Sequence, residues 1–232
     1  MRMNLVKDHF ETEAKQFDDI IVQLIPYYEQ MLQALIDSIP FETESKIKVI
    51  DLGCGTGTIA RKVADKFPNA SIVCLDVATN MIDMAKYKLS NHTETEFIAS
   101  DFADIDFTEK FDVVVSSLAL HHLETDADKK KLYTKIFENL NPNGVFFNAD
   151  VVLASNNQLQ EVYMQRWKEY MNRKVSMEEI ENKWIPVYEN EDRPAKLTDQ
   201  MEWLKEIGFE SVDIIWKYYN FCVYGGVKSA NQ

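Results

Sequence analysis

The sequence predicts a doubly wound α/β domain: a mostly parallel, seven-stranded sheet with an antiparallel C-terminal hairpin and helical additions. Three observations carry that reading. Short β-branched apolar runs alternate with helix-period segments from residue 46 to 152. The last two strand-like runs, in SVDIIWKYYNFCVYGGVK, stand too close for a parallel crossover, which needs about a dozen residues or more. The 232 residues, 46% hydrophobic and 12% aromatic, suffice for one sizeable core and are short for two.

Residues 8 to 39 read as helical, with Phe10, Ala14, Phe17, Ile20, Ile21 and Leu24 spaced by three and four. Pro26 breaks that run. A second helix carries Tyr28, Met31, Leu32, Leu35 and Ile36, and Pro40 follows it. IKVIDL has the character of a buried parallel strand. The next helix passes through Ile59, Ala60, Val63 and Ala64 and stops near Pro68-Asn69. SIVCLD is the second strand, and NMIDMAKYKL the helix after it, with Thr79 or Asn80 as N-cap. TEFIAS and the more apolar FDVVVSSLAL are the third and fourth strands. DADKKKLYTKIFENL is a helix with Asp126 near its start, NPNG (141 to 144) a turn, and VFFNADVV the fifth strand.

From residue 155 to 192 the alternation stops. NNQLQEVYMQRWKEYMNRKV and SMEEIENKWIPVYEN are helical, polar and aromatic-rich, and sit where an inserted lid would sit. TDQMEWLKEIGF is a helix closed by Gly208 at C′, ahead of the hairpin. The expected organisation is one domain, 1–232. It has an N-terminal helical cap (1–45), a ligand-binding core (46–152), a helical lid insert (153–195), and a C-terminal helix with β-hairpin (196–232).

The formal net charge of −13 disfavours a nucleic-acid partner, because phosphate binding needs a basic surface. The dense basic run Lys129-Lys130-Lys131 stands beside Asp126 and Asp128 and reads as a solvated helix start. Cys54, Cys74 and Cys222 are widely spaced and suit reduced thiols. No signal-peptide core and no run of about 20 apolar residues occurs, so the expectation is a cytoplasmic protein without a membrane partner.

VIDLGCGTG ends the first strand in a glycine turn. Glycines let a ligand approach the backbone, and the helix that follows favours negative charge at its N-terminus. Gly53, Gly55 and Gly57 give GxGxG, not the dinucleotide GxGxxG, and no GK[ST] follows. Asp51 stands just before the turn, where a pyrophosphate gains little and an amine or sulfonium gains. Asp76 ends the second strand about 20 residues on, where an acid accepts ribose hydroxyls. S-adenosylmethionine (SAM) meets these demands with its ribose, sulfonium, amine and carboxylate.

The segment resembles the class I SAM-dependent methyltransferases, whose fold is Rossmann-like. VIDLGCGTG, LDVATNMIDMAK, FIASDFADIDF and FDVVVSSLALHHL are similar to their first four motifs, in order, across residues 46 to 152. The resemblance implies SAM as cofactor and S-adenosylhomocysteine as product. It implies that Gly53, Cys54 and Gly55 line the methionine part and that Asp76 binds the ribose. Val77 or Met81 would pack on adenine, Asp101 and Phe102 would meet its edge and face, and Ser117 would sit by the sulfonium. Plain core packing is the competing reading for Met81 and Phe102.

FDDIIVQLIPYYEQM and GFESVDIIWKYYNFCVYGGVK also look like the carboxy-SAM synthase branch, which serves tRNA wobble-uridine modification. That branch implies a cofactor-binding tyrosine at Tyr28. It also carries an arginine for the extra carboxylate, and Trp203 stands in that place here. The expectation is therefore a relative that uses ordinary SAM to methylate a small-molecule acceptor. A SAM-modifying synthase and a non-catalytic SAM-binding protein are the alternatives.

Methyl transfer is an in-line displacement that needs the acceptor about 3 Å from the methyl carbon and water excluded. A base is needed only for a protonated acceptor, and His121, of the pair His121-His122, is the candidate. No metal is expected, because adjacent residues on an extended segment point apart. Tyr163, Trp167, Tyr170, Trp184 and Tyr188 are expected either to cover the acceptor, together with the N-terminal helices, or to seal the lid or form a homodimer face. Arg166, Arg173 and Arg193 would anchor an acidic acceptor or balance the surface charge.

Overall fold

The computed structural model describes residues 17–230. Seven strands form one sheet: β1 (Lys48–Leu52), β2 (Ser71–Asp76), β3 (Thr95–Ala99), β4 (Phe111–Ser117), β5 (Leu140–Val151), β6 (Glu210–Tyr218) and β7 (Phe221–Val227). Their order is β3-β2-β1-β4-β5-β7-β6. The first five pair in parallel, while β7 runs antiparallel to both β5 and β6. The sheet is thus mostly parallel with an antiparallel C-terminal hairpin. The chain winds outward from β1 in one direction to β3 and in the other from β4, so the winding reverses between β1 and β4. A crevice opens there, beyond the strand C-termini.

The helices are α1 (Phe17–Leu24), α2 (Tyr28–Asp37), α3 (Thr58–Lys66), α4 (Thr79–Lys88), α5 (Asp126–Asn139), α6 (Asn157–Met171), α7 (Ile185–Glu191) and α8 (Leu197–Ile207). A short turn at Met177–Glu179 and a π-helical segment at Ile180–Trp184 lead into α7. Successive strand residues point to opposite faces. Val49, Val113 and Val115 therefore join a core under α1, α2, α3 and α6, while Ile50, Leu52 and Val114 join a second core under α5 and α8. Among the described residues, no helix is long and apolar enough to cross a membrane.

Several local expectations change. The helical run predicted from residue 8 is described only from Phe17, so Phe10 and Ala14 lie outside the described residues. Pro26 does interrupt it, and Tyr27 makes the bend with φ 53°. Ala78, not Thr79 or Asn80, occupies the N-cap of α4. NPNG does not separate a helix from a strand, because β5 starts at Leu140. Leu140 faces Phe111 and Val145 faces Val113, so residues 141–144 oppose Asp112 alone as a bulge inside β5. Asn143 takes the left-handed conformation, φ 64°, and Asn141 Nδ2 donates to Asp112 Oδ1 at 2.8 Å. Lys129 is not solvated: it is buried, and its Nζ donates to the Leu123 carbonyl at 2.7 Å. Thr125 and Asp128 close a capping box that starts α5.

Candidate active site

The glycine turn is shaped by its backbone. Gly53, Gly55 and Gly57 all have positive φ (71°, 52° and 80°), a region that side chains strain to enter. Each glycine meets a different neighbour. A Cβ on Gly53 would lie 2.3 Å from Ala119 Cβ, so the loop after β4 rests on the turn. A Cβ on Gly57 would lie 3.0 Å from Ala85 Cβ, so this glycine lets α3 and α4 approach. A Cβ on Gly55 meets nothing within 4 Å: that position opens into the crevice. Replacing Gly55 with alanine should thus weaken cofactor binding by roughly 10-fold, by steric exclusion, with about 1 kcal/mol lost from backbone strain. Calorimetric SAM titration and thermal unfolding of the variant check both parts.

The turn is clamped to β2. Gly53 N and Cys54 N donate to the Leu75 carbonyl at 2.8 and 2.9 Å. Asp76 Oδ2 accepts from Gly55 N at 2.8 Å, and its Oδ1 from Ala78 N at 2.9 Å. A second clamp went unread in the sequence. Lys88 Nζ donates to Asp18 Oδ2 and to Thr56 and Thr58 Oγ1, at 2.8 to 2.9 Å, while Thr56 Oγ1 donates to Asp18 Oδ1 at 2.7 Å. Burial raises the Asp18 pKa, but the bonds from Lys88 and Thr56 outweigh it and hold the carboxyl below its ordinary value. This knot fastens α1 across the turn. Its only sequence signal was an acid in the first turn of an amphipathic helix.

A cleft of about 690 Å³ lies where these elements meet. Its wall holds Tyr28, Asp51, Gly53, Cys54, Gly55, Asp76, Val77, Met81, Phe102 and Ser117. Gly57 and Asp101 stand outside it. Gly57 packs the helices, and Asp101 Oδ1 accepts from Ala103 N at 2.8 Å, capping a single 3₁₀ turn. Thr56, Thr58, Ile59, Leu118 and Ala119 complete the wall with Phe17 and His122. Asp51 is fully buried; its Oδ2 accepts from Ala60 N at 3.2 Å, and its Oδ1 has no hydrogen-bond partner. Burial pushes its pKa up to about 7, the Ala60 N–H partly offsets this, and the Asp76 charge adds to it. Ser117 Oγ is likewise buried and without a partner. A ligand carrying an ammonium group and a sulfonium satisfies both.

A second cavity, about 810 Å³, adjoins the cleft and shares Phe17, Leu118 and His122 with it. Its apolar walls come from Ile20, Ile21 and Leu24 of α1, from Trp167 and Met171 of α6, and from Trp184, Val187, Tyr188 and Phe221. Trp167 Nε1 donates to the Leu24 carbonyl at 2.7 Å, tying the insert to α1. Trp167, Trp184 and Tyr188 thus surround the cavity, whereas Tyr163 and Tyr170 are absent from its wall. Tyr170 packs on Tyr27, and Tyr163 on Tyr219. No arginine or lysine lines the cleft or the cavity among the described residues. Arg166 pairs with Glu169, Arg173 lies over the Tyr170 ring, and Arg193 donates to the carbonyls of Glu189, Asn190 and Asp192. Trp203 packs against the second core and belongs to neither wall.

The polar corner of the cavity is His121, His122, Glu191 and Asp192. The two histidines lie on a 3₁₀ turn (Leu120–His122), not on an extended strand, because Leu118 bends the chain with φ 51°. Their rings therefore lie against each other, with centroids 4.1 Å apart and planes tilted by 50°, instead of pointing away from each other. His121 Nδ1 lies 2.5 Å from Asp150 Oδ1, and its Nε2 lies 3.4 Å from Asp192 Oδ1. Burial lowers the His121 pKa, but the charges of Asp150 and Asp192 overcome that and raise it to about 10. Held so, the ring is an imidazolium at neutral pH and has no lone pair to act as a base. Burial first, and then the neighbouring His121, lower the His122 pKa to about 4. His122, not His121, borders both cleft and cavity.

The sequence pattern of the family described as "Methyltransferase domain" matches residues 43–199. Carboxy-S-adenosyl-L-methionine synthase of Nautilia profundicola is 27% identical over 216 residues, which is 92% of this chain and 91% of that protein. Malonyl-(acyl-carrier protein) O-methyltransferase of Acetivibrio thermocellus is 26% identical over 141 residues, 61% of this chain and 47% of that one. Human N-acetylserotonin methyltransferase in complex with SAM shares the fold, with a TM-score of 0.63 at 17% identity. The match covers 96% of this chain but 56% of that longer one.

Proposed function

We infer that this chain, which belongs to the class I SAM-dependent methyltransferase family, transfers the methyl group to a small, largely apolar acceptor held in the cavity beside the cofactor cleft. The observation that carries this reading is the joined pair of spaces: a polar cleft with unpaired Asp51 Oδ1 and Ser117 Oγ, opening past His122 into an aromatic-walled cavity. SAM supplies an electrophilic methyl carbon on a positively charged sulfur. Asp76 is placed to accept from the ribose hydroxyls, with both of its oxygens already anchored by backbone N–H groups. Asp51 offers its unpaired oxygen to the ammonium group. The walls from α1 and the insert exclude water, which would otherwise solvate the nucleophile. The acceptor heteroatom is oriented by the polar corner while its apolar body contacts Trp167, Trp184 and Tyr188.

The carboxy-SAM synthase relative raises a second reading, in which the chain modifies SAM itself. A carboxylated cofactor carries an extra negative charge. Among the described residues, neither wall offers an arginine or lysine to meet it, and Trp203 packs elsewhere. Mass spectrometry of the cofactor that copurifies separates the readings, since the modified form is heavier by one carboxylate.

Two results test the assignment of the spaces. Ile21→Trp should fill the cavity and raise the acceptor KM by roughly 10-fold or more, with the SAM dissociation constant nearly unchanged. Steady-state kinetics in both substrates read this directly. SAM affinity should fall as pH drops below about 7, because a protonated Asp51 must lose its proton to meet the ammonium. Titrations between about pH 5.5 and 8 check the slope, which Asp51→Asn should flatten.

A further inference from the structure

We propose that His121, His122 and Asp192 bind one divalent transition-metal ion, of the zinc or iron(II) class, at the polar corner of the apolar cavity. His121 Nε2 and His122 Nδ1 lie 3.4 and 3.5 Å from the same carboxylate oxygen, Asp192 Oδ1. The three donor groups all lie within 4.8 Å of one another. Nitrogen and oxygen joined by a hydrogen bond usually stand about 2.9–3.0 Å apart. Donors spread tetrahedrally around one ion, each about 2.0–2.2 Å from it, stand about 3.3–3.6 Å apart. The two separations from Asp192 Oδ1 fit the second arrangement, and the ion would take the place of the weak contact of His122 Nδ1 with the Glu191 carbonyl at 3.4 Å.

The surroundings fit as well. Asp150 holds His121 Nδ1 at 2.5 Å, and its carboxylate is itself fixed by His121 N, Asn148 Nδ2 and Val151 N at 2.9 to 3.1 Å. That is the carboxylate–histidine support which orients metal ligands and directs the other ring nitrogen toward the ion, which displaces the proton that His121 Nε2 carries in the metal-free protein. Both histidines are buried and sit on a turn pinned between β4 and the Arg193 N–H, which donates to the His121 carbonyl at 2.9 Å. Two imidazoles with one carboxylate select a borderline transition metal over magnesium or calcium, which prefer all-oxygen sites. Three protein donors leave a coordination position open toward the cavity.

The use of the ion rests on the methyl-transfer reading. An acceptor hydroxyl or thiol coordinated there loses its proton to water at neutral pH. The freed lone pair forms the bond to the methyl carbon. The carbon–sulfur bond breaks, and its electron pair stays on sulfur, which becomes the neutral thioether of S-adenosylhomocysteine.

The test is titration of the chelator-stripped full chain with Co²⁺ and then Zn²⁺, by calorimetry and by the visible absorption of bound Co²⁺. One equivalent should bind at roughly micromolar or tighter affinity. Asp192→Ala and His122→Ala should each weaken it by about 100-fold or more, and Asp150→Asn by about 10- to 100-fold. Thermal unfolding is measured on each variant, and Asp192→Asn replaces Asp192→Ala if the latter unfolds. No saturable binding to the stripped wild type, or unchanged affinity in folded Asp192 and His122 variants, overturns the site. Stripped enzyme that methylates with unchanged kcat overturns the catalytic use alone. Metal-loaded protein that binds the ion and transfers no methyl group overturns the methyl-transfer reading and leaves the site standing.

Discussion

Asp76→Ala should lower SAM affinity by about 100-fold, the largest single effect on the cofactor that the structure supports. Hydrogen bonds to a charged carboxylate contribute about 1.5–3 kcal/mol each, and two ribose hydroxyls are in reach of this one. The same carboxylate also holds Gly55 N and Ala78 N, so its removal loosens the turn that lines the methionine part. Asp76→Asn keeps one acceptor oxygen and loses the charge, and its affinity should lie between the two. Isothermal titration with SAM and with S-adenosylhomocysteine measures both. An affinity unchanged by Asp76→Ala would remove the ribose assignment, and with it the orientation of the cofactor in the cleft.

Asp150→Ala should be the most damaging change to stability. Asp150 is buried on β5 and accepts from His121 Nδ1 and N, Asn148 Nδ2 and Val151 N. Removing one partner of a buried pair strands the other and costs about 3–5 kcal/mol. In a chain of this length that corresponds to a melting point lowered by roughly 10 °C. The sign of the pH effect follows from the raised His121 value. Its stabilisation is fully present below 6.5, the ordinary value, and is lost as pH rises through about 10. Chemical denaturation of the chelator-stripped wild type at pH 6, 8 and about 10 should show this decline, and Asp150→Ala should show a shallower one.

The parallel core was legible because its residues obey local rules. β1, β2 and β4 are short apolar runs with polar turns between them, and their burial alternates between the faces as their periodicity demands. The cleft was legible for the same reason: Asp51, the glycines and Asp76 sit at strand ends, which the winding of the sheet brings to one edge. What was not legible depends on long-range partners. Asp18 is 70 residues from Lys88, and Trp167 is 143 residues from the Leu24 carbonyl that it binds. NPNG carries turn chemistry, yet Asp112 accepts it as a bulge inside a strand. Lys129 looks solvated beside Lys130 and Lys131, but the Leu123 carbonyl captures it. The histidine pair depended on one backbone angle, at Leu118, which no local pattern announced.

The central claim is that a methyl group passes from the cleft to a small molecule in the cavity beside it. Protein loaded with SAM carrying an isotopically labelled methyl group should be offered a panel of small hydroxyl, thiol and amine acceptors, and the products read by mass spectrometry. The account predicts labelled product with at least one apolar acceptor, lost in Ile21→Trp while SAM remains bound. Label that stays on a carboxylated cofactor, or that reaches only RNA or protein, would contradict it.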